Sequence, residues 1–177
     1  GKVGKAQNFV NTYVYDAPLG FGGQSNFSGE VLAKASTASV VAAVGYSHTY
    51  TNIMGWYLAL NNANNIQFDL ARQSGSFQPL YGTINTIDNV WHYVVATYQP
   101  GTNGMKLYID GSLNAQRTNN DAFYQQPNNI INFCQGFDLN NNYPNSTLLW
   151  DEVRISNIVR SPAWIKATYH SLFDSLL

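Results

Sequence analysis

The chain has 177 residues, which suits one domain with a sizeable core, and only 11% of them are charged, for a formal net charge of −1. A chain with so little net charge is not expected to have the basic surface that binds a phosphate backbone. We therefore do not expect a nucleic acid partner. No apolar run is long enough for a membrane-spanning helix, so membrane insertion is not expected either. The only cysteine, Cys134, excludes an intrachain disulfide, and its apolar neighbours predict a small buried side chain.

Short apolar runs separated by Gly, Asn and Pro predict β-strands along most of the chain. In the run 65–71, Ile66, Phe68 and Leu70 alternate with polar residues, which indicates a strand that buries one face. The run 90–98 is apolar at nearly every position, as expected for a strand with both faces covered. The predicted strands in chain order are 56–61, 65–71, 90–98, 105–111, 130–137 and 148–156.

Two local signals mark the ends of elements in the second half of the chain. The dipeptide Asp110-Gly111 readily takes the positive φ angles of a tight turn and predicts a hairpin. Further on, Ser161 and Pro162 are typical of an N-cap and a first helical position, and they predict one helix near the C-terminus. The apolar face of that helix comprises Ile165, Tyr169, Leu172 and Leu176.

The segments "WHYVVATY", "MKLYIDGSL" and "LWDEVRISNIVRSPAWIKATY" together resemble the laminin G-like, concanavalin A-like jelly-roll domains of bacterial and archaeal surface proteins. "GWYLAL" and the opening "GKVGKAQNFVNTYV" resemble further strands of that family. The resemblance implies an all-β fold of two packed antiparallel sheets, one of them concave, with one short C-terminal helix. It also implies that residues 1–177 form a single domain, as a module of a larger protein, and that the domain binds glycans or protein partners without catalysis.

Glucanases share this jelly roll, so catalysis needs a separate test against the sequence. A retaining glycosidase requires two carboxylates about 5 Å apart, one as nucleophile and one as acid. The chain has two glutamates, Glu30 and Glu152, far apart in sequence, and no Glu-x-Asp-x-Glu spacing. The histidines His48, His92 and His170 stand in no motif that points to a nucleophile or a metal. We therefore predict that the protein is not an enzyme.

Asp151 is the carboxylate whose position is least expected. Strict alternation in 148–156 places it on the same face as Leu149, Val153 and Ile155, and a carboxylate on a core face must be paired or metal-bound. The resemblance implies a structural Ca²⁺ held by an Asp on the matching strand and by backbone carbonyls, which are oxygen ligands of the kind calcium prefers. The alternative is that Asp151 accepts backbone N–H groups or pairs with Arg154 or Arg160.

Two loop regions combine aromatic rings with amide and carboxylate groups, the chemistry that a sugar site needs. The two regions are residues 45–56 and 136–147. For Trp56, the alternative is that its side chain belongs to the core. The predicted ligand-binding residues are Tyr46, His48, Tyr50, Trp56, Asn141 and Tyr143.

The function predicted from these features is carbohydrate binding on a cell surface or in an extracellular assembly, so the expected partner is a glycan or a surface protein. The alternative is a structural or adhesive module of a surface filament, sheath or virion. Such a module would contact other protein subunits, and it should self-associate or show a large exposed apolar patch.

Overall fold

A computed structural model of the protein describes residues 7–8, 14–16, 26–36, 41–47, 55–60, 65–72, 76–119, 130–133 and 148–173. The elements are β1 (Gln7–Asn8), β2 (Val14–Asp16), β3 (Phe27–Ala35), β4 (Val41–Ser47), β5 (Gly55–Leu60), β6 (Ile66–Ala71), β7 (Phe77–Tyr81), β8 (His92–Tyr98), β9 (Gly101–Ile109), β10 (Ser112–Asn119), β11 (Ile130–Phe133), β12 (Leu148–Ser156) and α1 (Pro162–Leu172). Within this part of the chain, no helix has the length and hydrophobicity needed to cross a membrane.

The strands form two six-stranded sheets that face each other. The first sheet has the order β1-β12-β3-β8-β9-β10, and the second has the order β2-β11-β4-β5-β6-β7. Every described strand pair is antiparallel. The predicted all-β jelly-roll sandwich with one short helix is therefore confirmed.

The inner faces of both sheets share one hydrophobic core, because the alternating residues of each strand turn their apolar members inward. In β6 these members are Ile66, Phe68 and Leu70, as the sequence pattern predicted, and each is at most 1% exposed. Trp56 of β5 crosses the core and stacks on Phe27 of β3, with ring centroids 4.8 Å apart. Burial of such aromatic rings is a principal source of stability in a sandwich.

Helix α1 covers the outer face of the first sheet. Its N-terminus is capped as predicted, since the Ser161 side chain accepts the Trp164 N–H and proline occupies the first turn. Ile165 is fully buried in a second apolar cluster with Leu32, Tyr93 and Tyr108 of the sheet. This helix explains why β8 is buried on both faces: one face contacts the core and the other contacts α1.

A buried ion pair fastens the start of α1 to the sheet beneath it. Glu30 on β3 is 1% exposed, and it accepts a 2.5 Å hydrogen bond from the Tyr93 hydroxyl. The Arg160 guanidinium lies 3.6 Å from the other carboxylate oxygen and stacks over the Trp164 ring, 4.2 Å from its centroid. Burial raises the pKa of Glu30, while the bond from Tyr93 and the charges of Arg154 and Arg160 lower it.

One lateral side of the sandwich closes where the two edge strands β7 and β10 meet. Pro79 on β7 has no N–H to offer, and its carbonyl accepts a 2.7 Å hydrogen bond from Arg117 of β10. Beside it, the Gln78 side-chain amide donates to the Thr118 carbonyl at 3.3 Å. Proline and a charged side chain on an edge strand are features that prevent pairing with another chain.

Candidate functional site

Most of the loop residues predicted to bind a ligand lie outside the described residues. These are His48, Tyr50, Asn141 and Tyr143, for which the prediction stays untested, as does burial of Cys134. The backbone of Tyr46 is described within β4, where it pairs with Trp56 of β5 and Ile131 of β11.

Trp56 lies in the core, which corrects its assignment to the ligand surface. Its side chain is 2% exposed, and a Cβ placed on Gly29 would lie 2.6 Å from its ring, so the packing leaves no room on that side. A ring enclosed in this way offers no face to a ligand. The core alternative for Trp56 is therefore the right one.

The face predicted for Asp151 is wrong because β12 contains a β-bulge. The register runs from Asp151 opposite Leu32 to Arg154 opposite Glu30, and Glu152 has a φ of 51°. One extra residue in a strand reverses the alternation after it. Trp150 and Val153 therefore both contact the core, whereas Asp151 lies beside Leu32 on the outer face of the first sheet.

On the outer face, Asp151 does not need a metal ion to compensate for burial of its charge. The residue is partly exposed, and its Oδ1 accepts the Glu152 N–H at 3.0 Å. Among the described residues, no group of three or more His, Cys, Asp or Glu side chains could hold a metal ion. A calcium ion held by Asp151 and backbone carbonyls stays a prediction.

His92 connects two carboxylates at one end of the first sheet. Its Nδ1 lies 2.7 Å from Asp110 Oδ2 and its Nε2 lies 3.2 Å from Asp88 Oδ1, so both ring nitrogens contact carboxylates. Asp110 begins the predicted turn with a φ of 51°, and its other oxygen accepts the Tyr93 N–H at 2.9 Å. The imidazole therefore anchors the β9–β10 turn to the start of β8.

This anchor predicts a pH dependence of stability. The hydrogen bond with Asp110 raises the pKa of His92 above its ordinary value of 6.5, although burial opposes the shift. A raised folded-state pKa gives stability that is fully present below the unfolded pKa and is lost as the pH rises through the folded one. We therefore expect the contribution of this anchor to Tm to be lost as the pH rises above the ordinary His pKa of 6.5 and through the raised folded-state pKa. His92→Gln should remove this part of the pH dependence, and an unchanged profile in that variant would contradict the assignment.

A second group of polar and aromatic side chains occupies the outer face of the second sheet. The register places Gln67 opposite Tyr81, Asp69 opposite both Tyr57 and Pro79, and Ala71 opposite Phe77, and directly opposed residues share a face. We call this surface the β5–β7 face, and its members are Tyr57, Gln67, Asp69, Phe77, Pro79 and Tyr81. Tyr81 is 51% exposed, and Gln67, Phe77 and Pro79 are half-buried.

Asp69 lies at the base of the β5–β7 face and is only 1% exposed. Its Oδ2 accepts hydrogen bonds from the Tyr57 hydroxyl and from the Gln67 amide nitrogen, which also contacts the Tyr57 oxygen at 3.0 Å. Burial raises the pKa of Asp69, and these two hydrogen bonds oppose that rise. The sequence pattern placed Gln67 and Asp69 on the outer face of β6 but gave no sign that Tyr57 would join them.

The fold is that of a jelly-roll sandwich, and comparison of sequences agrees. The Laminin_G_3 family model, described as Concanavalin A-like lectin/glucanases superfamily, matches residues 12–166. The chain therefore belongs to this family, as the sequence resemblance predicted. No curated protein matches the chain in sequence.

Solved structures with the same fold include several binding domains. The botulinum neurotoxin serotype D binding domain is 19% identical with a TM-score of 0.70, over 94% of this chain and 41% of that one. The binding domain of Paraclostridial Mosquitocidal Protein 1 is 16% identical with a TM-score of 0.63, over 85% and 38%. The binding domain of botulinum neurotoxin DC in complex with SialylT is 18% identical with a TM-score of 0.65, over 84% and 36%. The chain thus spans about two fifths of the domains that it matches.

Proposed function

We propose that this domain is a non-catalytic carbohydrate-binding module that acts on a cell surface or in an extracellular assembly. The observation that carries the proposal is the β5–β7 face, which combines the aromatic rings of Phe77 and Tyr81 with the amide of Gln67, whose nitrogen contacts the buried Asp69 carboxylate. Aromatic faces stack on sugar C–H groups, and a few polar groups fix hydroxyls. Membership of a lectin-type family and a structural neighbour in complex with SialylT support the same function.

The carboxylates of the described residues favour binding over hydrolysis. On β5–β7 the single carboxylate is Asp69, whereas a retaining or inverting glycosidase needs two. Glu30 is buried on the first sheet beneath α1, and Glu152 pairs with Arg154 on β12. Neither glutamate faces the second sheet's outer surface, so the pair required for acid–base chemistry is not assembled there.

A glycan array, run with and without Ca²⁺, tests the proposal. We expect binding to a restricted set of glycans with a Kd no tighter than about 1 μM for one site, equivalent to about −8 kcal/mol, because each exposed hydrogen bond contributes only about 1 kcal/mol. Tyr50→Ala and Tyr143→Ala should each weaken binding if the predicted loops contribute. A calcium ion at Asp151 would make Tm fall in EDTA, and Asp151→Ala would abolish that response.

Two results would contradict the proposal. Release of reducing sugar from any common glucan at enzymatic rates would show a hydrolase instead. A blank array together with oligomers or filaments in size-exclusion chromatography and electron microscopy would favour the structural or adhesive module.

A further inference from the structure

We propose that the ligand lies along β7, on a strip formed by Phe77, Pro79 and Tyr81, and that Gln67 Oε1 accepts a hydrogen bond from one of its hydroxyls. The ligand class that fits is an uncharged saccharide of several pyranose units. This inference rests on the proposed function and assigns its site to the β5–β7 face, outside the loops 45–56 and 136–147 in which the sequence placed it.

The three residues of the strip share one face of β7 and are spaced along it. Alternate residues of a strand share one face, and four residues at about 3.3 Å each separate Phe77 from Tyr81 by about 13 Å. Proline between them continues the apolar surface without adding a flexible side chain. Because the strip lies on the outer face of the second sheet and Tyr81 is 51% exposed, a ligand can reach it from solvent on that face.

The amide of Gln67 is oriented by the buried groups behind it. A carboxylate only accepts hydrogen bonds, so the side-chain atom that contacts Asp69 Oδ2 must be the amide nitrogen. The same nitrogen contacts the Tyr57 hydroxyl oxygen at 3.0 Å. The planar amide then directs Oε1 away from both partners, and no described residue donates to it. Gln67 therefore presents a fixed acceptor beside Tyr81, its partner in the register.

Charge explains the preference for an uncharged sugar. Asp69 places a buried carboxylate directly behind Gln67, and the Gln67 Oε1 is the acceptor that faces a ligand. Arg117, whose charge acts on Asp69, donates to the Pro79 carbonyl at 2.7 Å. An anionic sugar would meet an acceptor where it needs a donor, whereas a hydroxyl donates to it.

Titration calorimetry with neutral hexasaccharides and one acidic counterpart tests this site, using cellohexaose, laminarihexaose, mannohexaose and hexagalacturonate as probes. Tyr81→Ala should weaken binding of the best neutral probe at least about tenfold, while Tyr81→Phe keeps the ring and the affinity. Gln67→Met, which keeps length but lacks the acceptor, should weaken it about threefold to tenfold. Leu113→Ala is the matched control, since Leu113 is 49% exposed on β10 of the other sheet and should leave binding unchanged.

Asp69→Asn tests whether Asp69 orients the Gln67 amide, and the measured quantity is the selectivity for neutral over acidic saccharides. The asparagine amide nitrogen can donate to Gln67 Oε1 and reverse the amide, which then presents N–H groups to the ligand. The ratio of neutral to acidic affinity should therefore fall, whereas a purely structural role would lower both affinities together. Wild-type affinity that survives Tyr81→Ala and Gln67→Met overturns the site but not the function. Failure of every probe and of the glycan array overturns both.

Discussion

Trp56→Ala should lower the free energy of unfolding by about 3–5 kcal/mol, because it removes a large ring from the centre of the core and leaves a cavity. In a domain of this size, a loss of that order lowers Tm by roughly 10 °C. The ring is 2% exposed and stacks on Phe27 at 4.8 Å, so little of the cavity can be filled by relaxation. Thermal unfolding followed by circular dichroism measures the change.

Tyr81→Ala is the control for that experiment, since it removes the aromatic ring of a surface residue that is 51% exposed. Its effect on the free energy of unfolding should stay within about 0.5 kcal/mol. If Trp56→Ala instead leaves Tm unchanged and abolishes glycan binding, Trp56 is a surface residue and its place in the core is wrong.

Glu30→Leu should cost about 3–5 kcal/mol of unfolding free energy. In the folded chain the Arg160 guanidinium lies 3.6 Å from the Glu30 carboxylate, so the substitution removes its ionic partner. It also removes the acceptor of the hydrogen bond from the Tyr93 hydroxyl. Chemical denaturation of the variant measures the loss. Tyr93→Phe removes only one hydrogen bond and should cost about 1 kcal/mol.

The double variant Glu30→Leu with Arg160→Leu separates charge from packing. Replacing both partners of a buried pair by apolar residues leaves no uncompensated charge, so a large part of the stability should return. A double variant that loses the sum of the two single losses would mean that Glu30 and Arg160 act independently.

Sequence patterns predicted the elements whose signals are local. The Asp110-Gly111 turn has positive φ angles of 51° and 77°, and Ser161 caps α1 as expected. In β6, the alternation assigned each residue to the correct face. These features depend on backbone preferences and on the alternation of residues within one strand, and both can be recognised from consecutive residues.

The errors arose where a property depends on a partner strand. The bulge at Glu152 is a mismatch between β12 and β3, so no pattern within 148–156 alone could show that Asp151 faces outward. Trp56 was predicted at the end of the loop 45–56, with the core as its alternative. Its burial depends on Phe27 and Gly29 of β3, a strand that is not adjacent to it in the sequence. The β5–β7 face was missed for the same reason, because Tyr57, Gln67 and Phe77 come together only through the register of three strands.

The position of β3 at the centre of the first sheet also constrains how the chain can fold. One neighbour of β3 is β8, and the other is β12, the last strand before α1. During synthesis β3 must therefore wait, with one edge unpaired, until nearly the whole domain has left the ribosome. Such long-range pairing slows folding and prolongs the exposure of an apolar strand edge. Chains that end before Leu148 should therefore collect as aggregates, with β3 as the segment through which they associate.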